Sequence, residues 1–306
     1  MRIVLLGPNG QLGWELQRSL ASLGELVALD RRQWPNGIGA DLGDAAGLDT
    51  MLNALQPDVV VNAAAHTAVD QCETEAELAH AVNAVAPGVI ARSLAKRSRW
   101  LLHFSTDYVF DGSGQEPRDE AAPTGPLSVY GRTKLDGENA IRASGCRHLI
   151  LRTSWVHAAR GGNFARTMLR LAGERDALRV VDDQIGAPTG AELLADVAAH
   201  ALRAAWLEPA LSGTYHACAA GEVSWCDYAR HVIAWGLRAG LPLRARPETV
   251  RGIASRDFPS AAARPLNSRL DTRKLRRSFG LTLPPWQAGV DRMLTEALPS
   301  LATAAP

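Results

Sequence analysis

Tyr130 and Lys134, four positions apart in LSVYGRTKLDGE (127–138), pair a phenol with an ammonium. A free phenol has a pKa near about 10, which makes it a usable acid and a poor base at neutral pH. Positive charge close by stabilises the phenolate and lowers that value. On a helix, a spacing of four puts both side chains on one face, one turn apart. Upstream, the apolar run WLLHF (100–104) ends in STDYVFDG, so Ser105, Thr106 and Asp107 stand at the carboxyl end of a strand. Ligands of open α/β sheets bind there. A hydroxyl at Thr106 can hold the same carbonyl oxygen that Tyr130 protonates, which makes Thr106, Tyr130 and Lys134 the candidate catalytic set.

An acid for a carbonyl oxygen needs a hydride for the carbon. GPNGQLG (7–13) follows the first apolar run directly and opens a helical pattern. Gly7 permits a tight turn, Gly10 lets backbone amides approach a pyrophosphate, and Gly13 allows helix to pack on strand. With Gln11 and Leu12 they form a dinucleotide loop at the positive end of a helix. The spacing is G-x-x-G-x-x-G, one residue longer between the first two glycines than the usual fingerprint. The next run ends in LDRR: Asp30 suits the ribose hydroxyls of NAD, while Arg31 and Arg32 suit the 2′-phosphate of NADP. Both features are present, and the balance leans to NADP(H) with tolerance for NADH. Asp41 and Leu42 can cover an adenine. Ala63, Ala64, Ala65 and Thr67, in VNAAAHTAVD, offer either a flat bed for a cofactor or a tight strand–helix junction. Together these residues point to hydride transfer from a nicotinamide, with Tyr130 giving the proton.

The elements that must hold these residues are legible. Strand candidates are 2–6, 25–29, 58–62, 100–104 and 148–152, with helical patterns between them; Leu12, Leu16, Leu20 and Leu23 recur at helical spacing. Alternating strands and helices predict right-handed crossovers and a parallel sheet, and continuous Val/Ile/Leu runs fit strands covered on both faces. The expected fold is a Rossmann-type doubly wound α/β sheet spanning about residues 1–180. A smaller substrate-binding lobe over 181–306 interleaves with it, with helices near 190–206, 224–239 and 286–297. The C-terminal LATAAP is expected to fray.

The composition is that of a globular enzyme: 306 residues, 46% hydrophobic, 21% charged, net charge +1 from 33 basic and 32 acidic residues. No charge excess asks for nucleic acid. The 4 cysteines make no C-x-x-C pair and no zinc spacing, which suits a reducing cytoplasm. MRIVLLG is too short for a signal peptide, and no apolar run is long enough to span a membrane.

GPNGQLG, VNAAAHTAVDQCETE, FSTDYVFDG, YGRTKLDGE, LRTSWVH, DQIGAPTGAELLAD and RPLNSRLDTRKL together resemble the extended short-chain dehydrogenase/reductase family over residues 2 to about 297. The resemblance is strongest to members that reduce the 4-keto group of a dTDP-linked deoxysugar with NADPH or NADH, closing the synthesis of activated rhamnose. It implies that Tyr130 is the proton donor and Lys134 its partner on the nicotinamide ribose, with Thr106 completing the triad. It implies Asp107 and Trp155 at the sugar, Gln184 at the nucleotide end, and Arg264 and Asn267 near the diphosphate. It further implies a homodimer joined by Mg²⁺ through Glu15, Glu192 and Glu296. Two other readings share the fold: a nucleotide-sugar epimerase or dehydratase, and a non-catalytic protein like the regulatory subunit of methionine adenosyltransferase.

Overall fold

The computed structural model describes residues 1–31 and 40–303, with side chains through residue 298. Six parallel strands make the central sheet: β1 (Arg2–Leu6), β2 (Glu25–Leu29), β3 (Val59–Asn62), β4 (Trp100–Thr106), β5 (Arg147–Thr153) and β6 (Gly213–His216). Their order is β6-β5-β4-β3-β1-β2, every pair parallel. The chain steps outward from β1 to β2, then returns to build β3 to β6 on the other side. The carboxyl ends of β1 and β3 therefore flank a topological switch point, the usual crevice of a doubly wound sheet.

Alternation along the strands sorts the core into two layers. Ile3, Leu5, Val59, Val61, Leu102 and Leu149 face one way. They meet α1 (Gln11–Leu20) and α6 (Ala191–Leu207) through Leu16, Leu20, Leu194 and Ala198. Val4, Leu6, Val60, Leu101 and Ile150 face the other way. There they meet α2 (Ala45–Leu55), α3 (Ala86–Ala95) and α4 (Val129–Ala143) through Met51, Leu52, Ile90 and Ile141. At roughly 25 cal/mol per Å² of apolar area removed from water, these two layers are the main stabilising term.

The five sequence-read strands match the observed ones within two residues. The sixth, GTYH, carries too little apolar signal to be seen alone; it forms because α6 delivers it to the open edge of β5. The three helices of the second half run Ala191–Leu207, Trp225–Arg238 (α7) and Trp286–Thr303 (α8). With α5 (Phe164–Glu174) and a parallel pair, Leu178–Val181 against Val250–Ile253, α7 and α8 enclose a separate core. Residues 191–216 return to the large sheet. Among the described residues no helix is long and apolar enough to cross a membrane.

Candidate active site

The strand ends, the glycine loop and the start of α4 enclose a cavity of about 630 Å³. It is lined by Gly7, Gly10, Gln11, Leu12, Ala63, Ala64, Ala65 and Thr67 on one side, and by Thr106, Asp107, Tyr130, Lys134 and Trp155 on the other. The glycine loop is shaped for close approach. Gly7 has φ +80°, and a Cβ there would lie 2.9 Å from the Ala64 Cβ. A Cβ on Gly13 would lie 1.9 Å from the Gly7 carbonyl oxygen, so α1 can seat on β1 only without a side chain. Gly10 caps α1 without a side-chain hydrogen bond, which leaves the first helical amides for a ligand.

Asp30, at the exit of β2, accepts a hydrogen bond from Asn9 Nδ2 at 2.8 Å, which joins it to the glycine loop. Arg31 is exposed, and Arg32 lies outside the described residues. Leu42 is a core residue packed with Met51 and Leu52, while Asp41 turns to the Gly43 amide at 2.8 Å. Neither lines the cavity.

Helix α4 begins at a built cap. The Ser128 hydroxyl accepts from Gly131 N at 3.1 Å, and Glu73 accepts from Val129 N at 2.8 Å. This fixes Tyr130 in the first turn, half-buried against Tyr108 with ring centroids 5.5 Å apart. Burial pushes its phenol up, and the Thr106 hydroxyl works against that. The expected lowering of the phenol by Lys134 is not what the protein alone provides. Lys134 Nζ is turned instead to the Phe104 carbonyl at 2.6 Å and to His103 Nε2 at 3.2 Å. A phenol held up in this way is fully protonated at neutral pH, the form an acid needs. Burial lowers Lys134 itself to about 8, against Glu138, which favours its charged form.

Thr106 donates to Asp107 Oδ1 at 3.0 Å and accepts from Tyr108 N at 3.2 Å. Asp107 is 2% exposed, and its Oδ2 has no partner at hydrogen-bonding geometry. Burial raises its carboxyl to about 6; Ser268 and Thr106 soften that rise. Beneath the site, Arg152 holds Glu138 with two bonds of 2.9 and 2.7 Å, both side chains almost wholly buried.

Trp155 has φ +48°, a conformation rare for a bulky residue and a mark of a held site. It stacks on Trp225 with centroids 3.6 Å apart and planes at 16°. Trp225 Nε1 donates to Gln184 Oε1 at 3.2 Å, and Gln184 Nε2 donates to Ser255 at 2.9 Å. Trp225 also lines a second cavity of about 940 Å³, shared with Gln184, Arg179, Arg256 and Arg264. Arg264 reaches it while paired with Asp70 at 2.8 Å. Asn267 does not reach either cavity. It is 2% exposed, and its amide is spent on the Ser113 and Glu116 carbonyls at 3.3 and 2.9 Å. These bonds pin that loop.

Three residues of the site escaped the sequence reading. Asn62 and His103 are cross-strand partners beside Lys134, and a polar residue inside an apolar strand was the available signal. Trp225 had no local signal, because its partner Trp155 is 70 residues away. Glu15, Glu192 and Glu296 do line one small cleft with His157. Glu192 is paired with Arg292 at 3.0 Å, and burial raises its carboxyl, helped by Glu15 and Glu296.

A doubly wound parallel sheet, a glycine loop at its switch point, and a Thr–Tyr–Lys set at the adjoining strand ends define an oxidoreductase of the short-chain dehydrogenase/reductase class. Residues 1–298 match the family described as the RmlD substrate binding domain. The dTDP-4-dehydrorhamnose reductase of Salmonella typhimurium is 50% identical over 296 residues, covering 97% of this chain and 98% of that protein; the Escherichia coli K12 enzyme of the same name is 48% identical. A crystal structure of a dTDP-4-dehydrorhamnose reductase from Clostridium acetobutylicum superposes with a TM-score of 0.85 at 33% identity, over 96% of this chain and 99% of that one. One from Bacillus anthracis, in complex with NADP, gives 0.83 at 31%, with the same coverage. The chain belongs to the RmlD substrate binding domain family, with the dTDP-4-dehydrorhamnose reductases.

Proposed function

We propose that this protein reduces the 4-keto group of dTDP-4-dehydro-β-L-rhamnose to give dTDP-L-rhamnose. The observation that carries this reading is the convergence of Thr106, Tyr130 and Lys134 with the glycine loop on one cavity, in a chain 50% identical to a reductase of that name. When bound, a reduced nicotinamide supplies hydride to the carbonyl carbon. Gly7, Gly10, Gln11, Leu12, Ala63, Ala64, Ala65 and Thr67 are the residues that hold it, with Asp30 and Arg31 at the adenosine ribose. Thr106 orients the carbonyl oxygen, and Tyr130 gives it a proton. Lys134 holds the nicotinamide ribose and steadies Tyr130. Asp107 accepts from a sugar hydroxyl through its unpartnered Oδ2, and Trp155 forms a flat apolar wall. Gln184, Arg264 and their neighbours in the second cavity take the nucleotide.

The finer features belong to the same proposal. NADPH is preferred over NADH through Arg31. The enzyme works in the cytoplasm, as a homodimer. Glu15, Glu192 and Glu296 are oxygen donors of the kind Mg²⁺ takes. Among the described residues of one chain, however, no group of three is arranged as a metal site. A bridging ion would therefore need carboxylates from a second copy. A dimer in sedimentation that EDTA dissociates supports the ion; a dimer indifferent to EDTA removes it.

The reaction is tested by incubating the protein with the keto sugar, made in situ from its precursor, and NADPH deuterated at C4. Deuterium at C4 of dTDP-L-rhamnose in the NMR spectrum is the expected result. Tightly retained NAD and a keto sugar recovered as its epimer would instead mark an epimerase. No turnover and a stable complex with another enzyme would mark a regulatory subunit.

A further inference from the structure

Asn62, His103 and Lys134 form a buried row at the cavity wall, with His103 behind the other two, exposed by 1%, 1% and 2%. Asn62 and His103 face each other across β3 and β4, on the sheet face that carries α4. Four contacts join the row end to end. Ala64 N–H donates to Asn62 Oδ1 at 3.2 Å. Asn62 Nδ2 lies 3.2 Å from His103 Nδ1. His103 Nε2 lies 3.2 Å from Lys134 Nζ, and Lys134 Nζ donates to the Phe104 carbonyl at 2.6 Å.

Donors and acceptors can be assigned from the ends inward. A backbone N–H only donates, so Asn62 must show its oxygen to Ala64. Its NH₂ then faces His103 Nδ1, which must accept. A neutral imidazole has one hydrogen, so that hydrogen sits on Nε2 and points at Lys134. An ammonium has three donors and no acceptor, and would set two N–H groups head to head. A neutral amine offers a lone pair and completes the row. Putting the proton on Lys134 instead requires His103 to carry its hydrogen on Nδ1. Asn62 must then turn its oxygen to His103, and Ala64 N–H is left facing an NH₂. An imidazolium donates at both nitrogens and costs the same Asn62–Ala64 bond; it is burial that disfavours it.

We propose that Asn62 and His103 are positioning residues that couple the charge on Lys134 to the cofactor-facing segment 63–65: the row favours the neutral amine, and forming the ammonium costs the hydrogen bond between Asn62 and Ala64. The inference concerns the site already read as a reductase, and its significance for catalysis rests on that reading. The other groups around Lys134 are accounted for. On α4, Glu138 favours the ammonium but is engaged by Arg152 from β5 and by Arg142. Tyr130 stands one turn before Lys134 on α4. Burial, joined by the Lys134 charge whenever that charge is present, holds His103 well below the ordinary histidine range, so it stays neutral. Coupling of this kind is reciprocal: whatever orders residues 63–65 shifts the proton affinity of Lys134, and the charge on Lys134 shifts the Ala64 amide.

The test is a pH titration of the full-length protein labelled with ¹⁵N, which reads the two ring nitrogens of His103 and the Ala64 amide. The expected result is hydrogen on Nε2 at high pH, with conversion to the Nδ1 form and a moving Ala64 amide over one shared midpoint as pH falls. Hydrogen on Nδ1 throughout, or an Ala64 amide that ignores the titration, overturns the proposal. Asn62→Asp places a carboxylate against Nδ1 and should hold the Nδ1 form at all pH values. It should also raise the basic limb of kcat by roughly one pH unit, a tenfold change in proton affinity, with KM for the sugar little changed. An Nε2 hydrogen in that variant counts equally against the row. The ring nitrogens report whether or not the protein turns over. An inactive protein that shows the Nε2 form at high pH and the shared midpoint sinks the reductase reading alone, and an active one that keeps the Nδ1 form at all pH values sinks the coupling alone.

Discussion

The two cavities that meet at Trp225 are built from opposite materials. The one beneath Tyr130 is walled by strand ends and backed by buried polar groups: Asn62, His103, Lys134, Asp107 and the Glu138–Arg152 pair. The one beyond Trp225 is held by stacked rings, Trp155 on Trp225 and Phe164 against both Trp225 and Tyr228, with arginines only at its rim. A site that moves a proton must fix charges and hydrogen positions in a low-dielectric setting, and that costs desolvation. A site that grips a nucleotide sugar needs flat apolar area and a few polar anchors. The first region should therefore be expensive and exacting, and the second stable and tolerant.

This contrast can be broken in three places. The largest effect should come from Arg152→Met, which leaves the Glu138 carboxylate buried without its main partner; removing one member of such a pair costs about 3–5 kcal/mol. Urea unfolding measures it, and a cost no greater than that of Trp225→Leu would erase the difference between the regions. Asp107→Asn should act in the other direction. The Asp107 carboxyl titrates at about 6 in the fold against about 3.9 in an unfolded chain. Native protein therefore binds more protons between those values, and stability falls as pH rises through them. The amide removes that burden, so the variant should gain on the order of 2–3 kcal/mol at pH 8. The gain should vanish below about pH 4, and turnover should fall. A loss of stability at pH 8 would mean that the carboxylate is better solvated than its burial indicates. The smallest effect should come from Gln184→Ala, which frees Trp225 Nε1 and raises KM roughly tenfold while kcat is kept, the signature of uniform binding. A drop in kcat with unchanged KM would place Gln184 in the first region's chemistry.

The same contrast explains what could be read in advance. The sheet was legible because buried parallel strands are near-continuous apolar runs, and RIVLL, ELVAL and WLLHF have no competing pattern. The Thr106–Tyr130–Lys134 set and the glycine loop were legible because their spacings are local. What the charges do was not. The row from Ala64 to Phe104 spans two strands and a helix, so the turning of Lys134 toward His103 leaves no mark in Y-x-x-x-K. RPLNS has the polarity of a ligand loop, and nothing in those letters shows that the Asn267 amide is bonded to a carbonyl 151 residues away. Leu42 lies beside a loop aspartate, and nothing local shows that its side chain belongs to the core.

The most direct test of the central claim is NADPH oxidation by wild type and by Tyr130→Phe, with dTDP-4-dehydro-L-rhamnose generated in situ and folding checked by circular dichroism. Substrate-dependent oxidation is expected in the wild type, with a fall in kcat of roughly 10²–10⁴ in the variant, at similar KM. Full turnover in a folded Tyr130→Phe would contradict the claim, because the phenol would then not be the acid that completes the reduction.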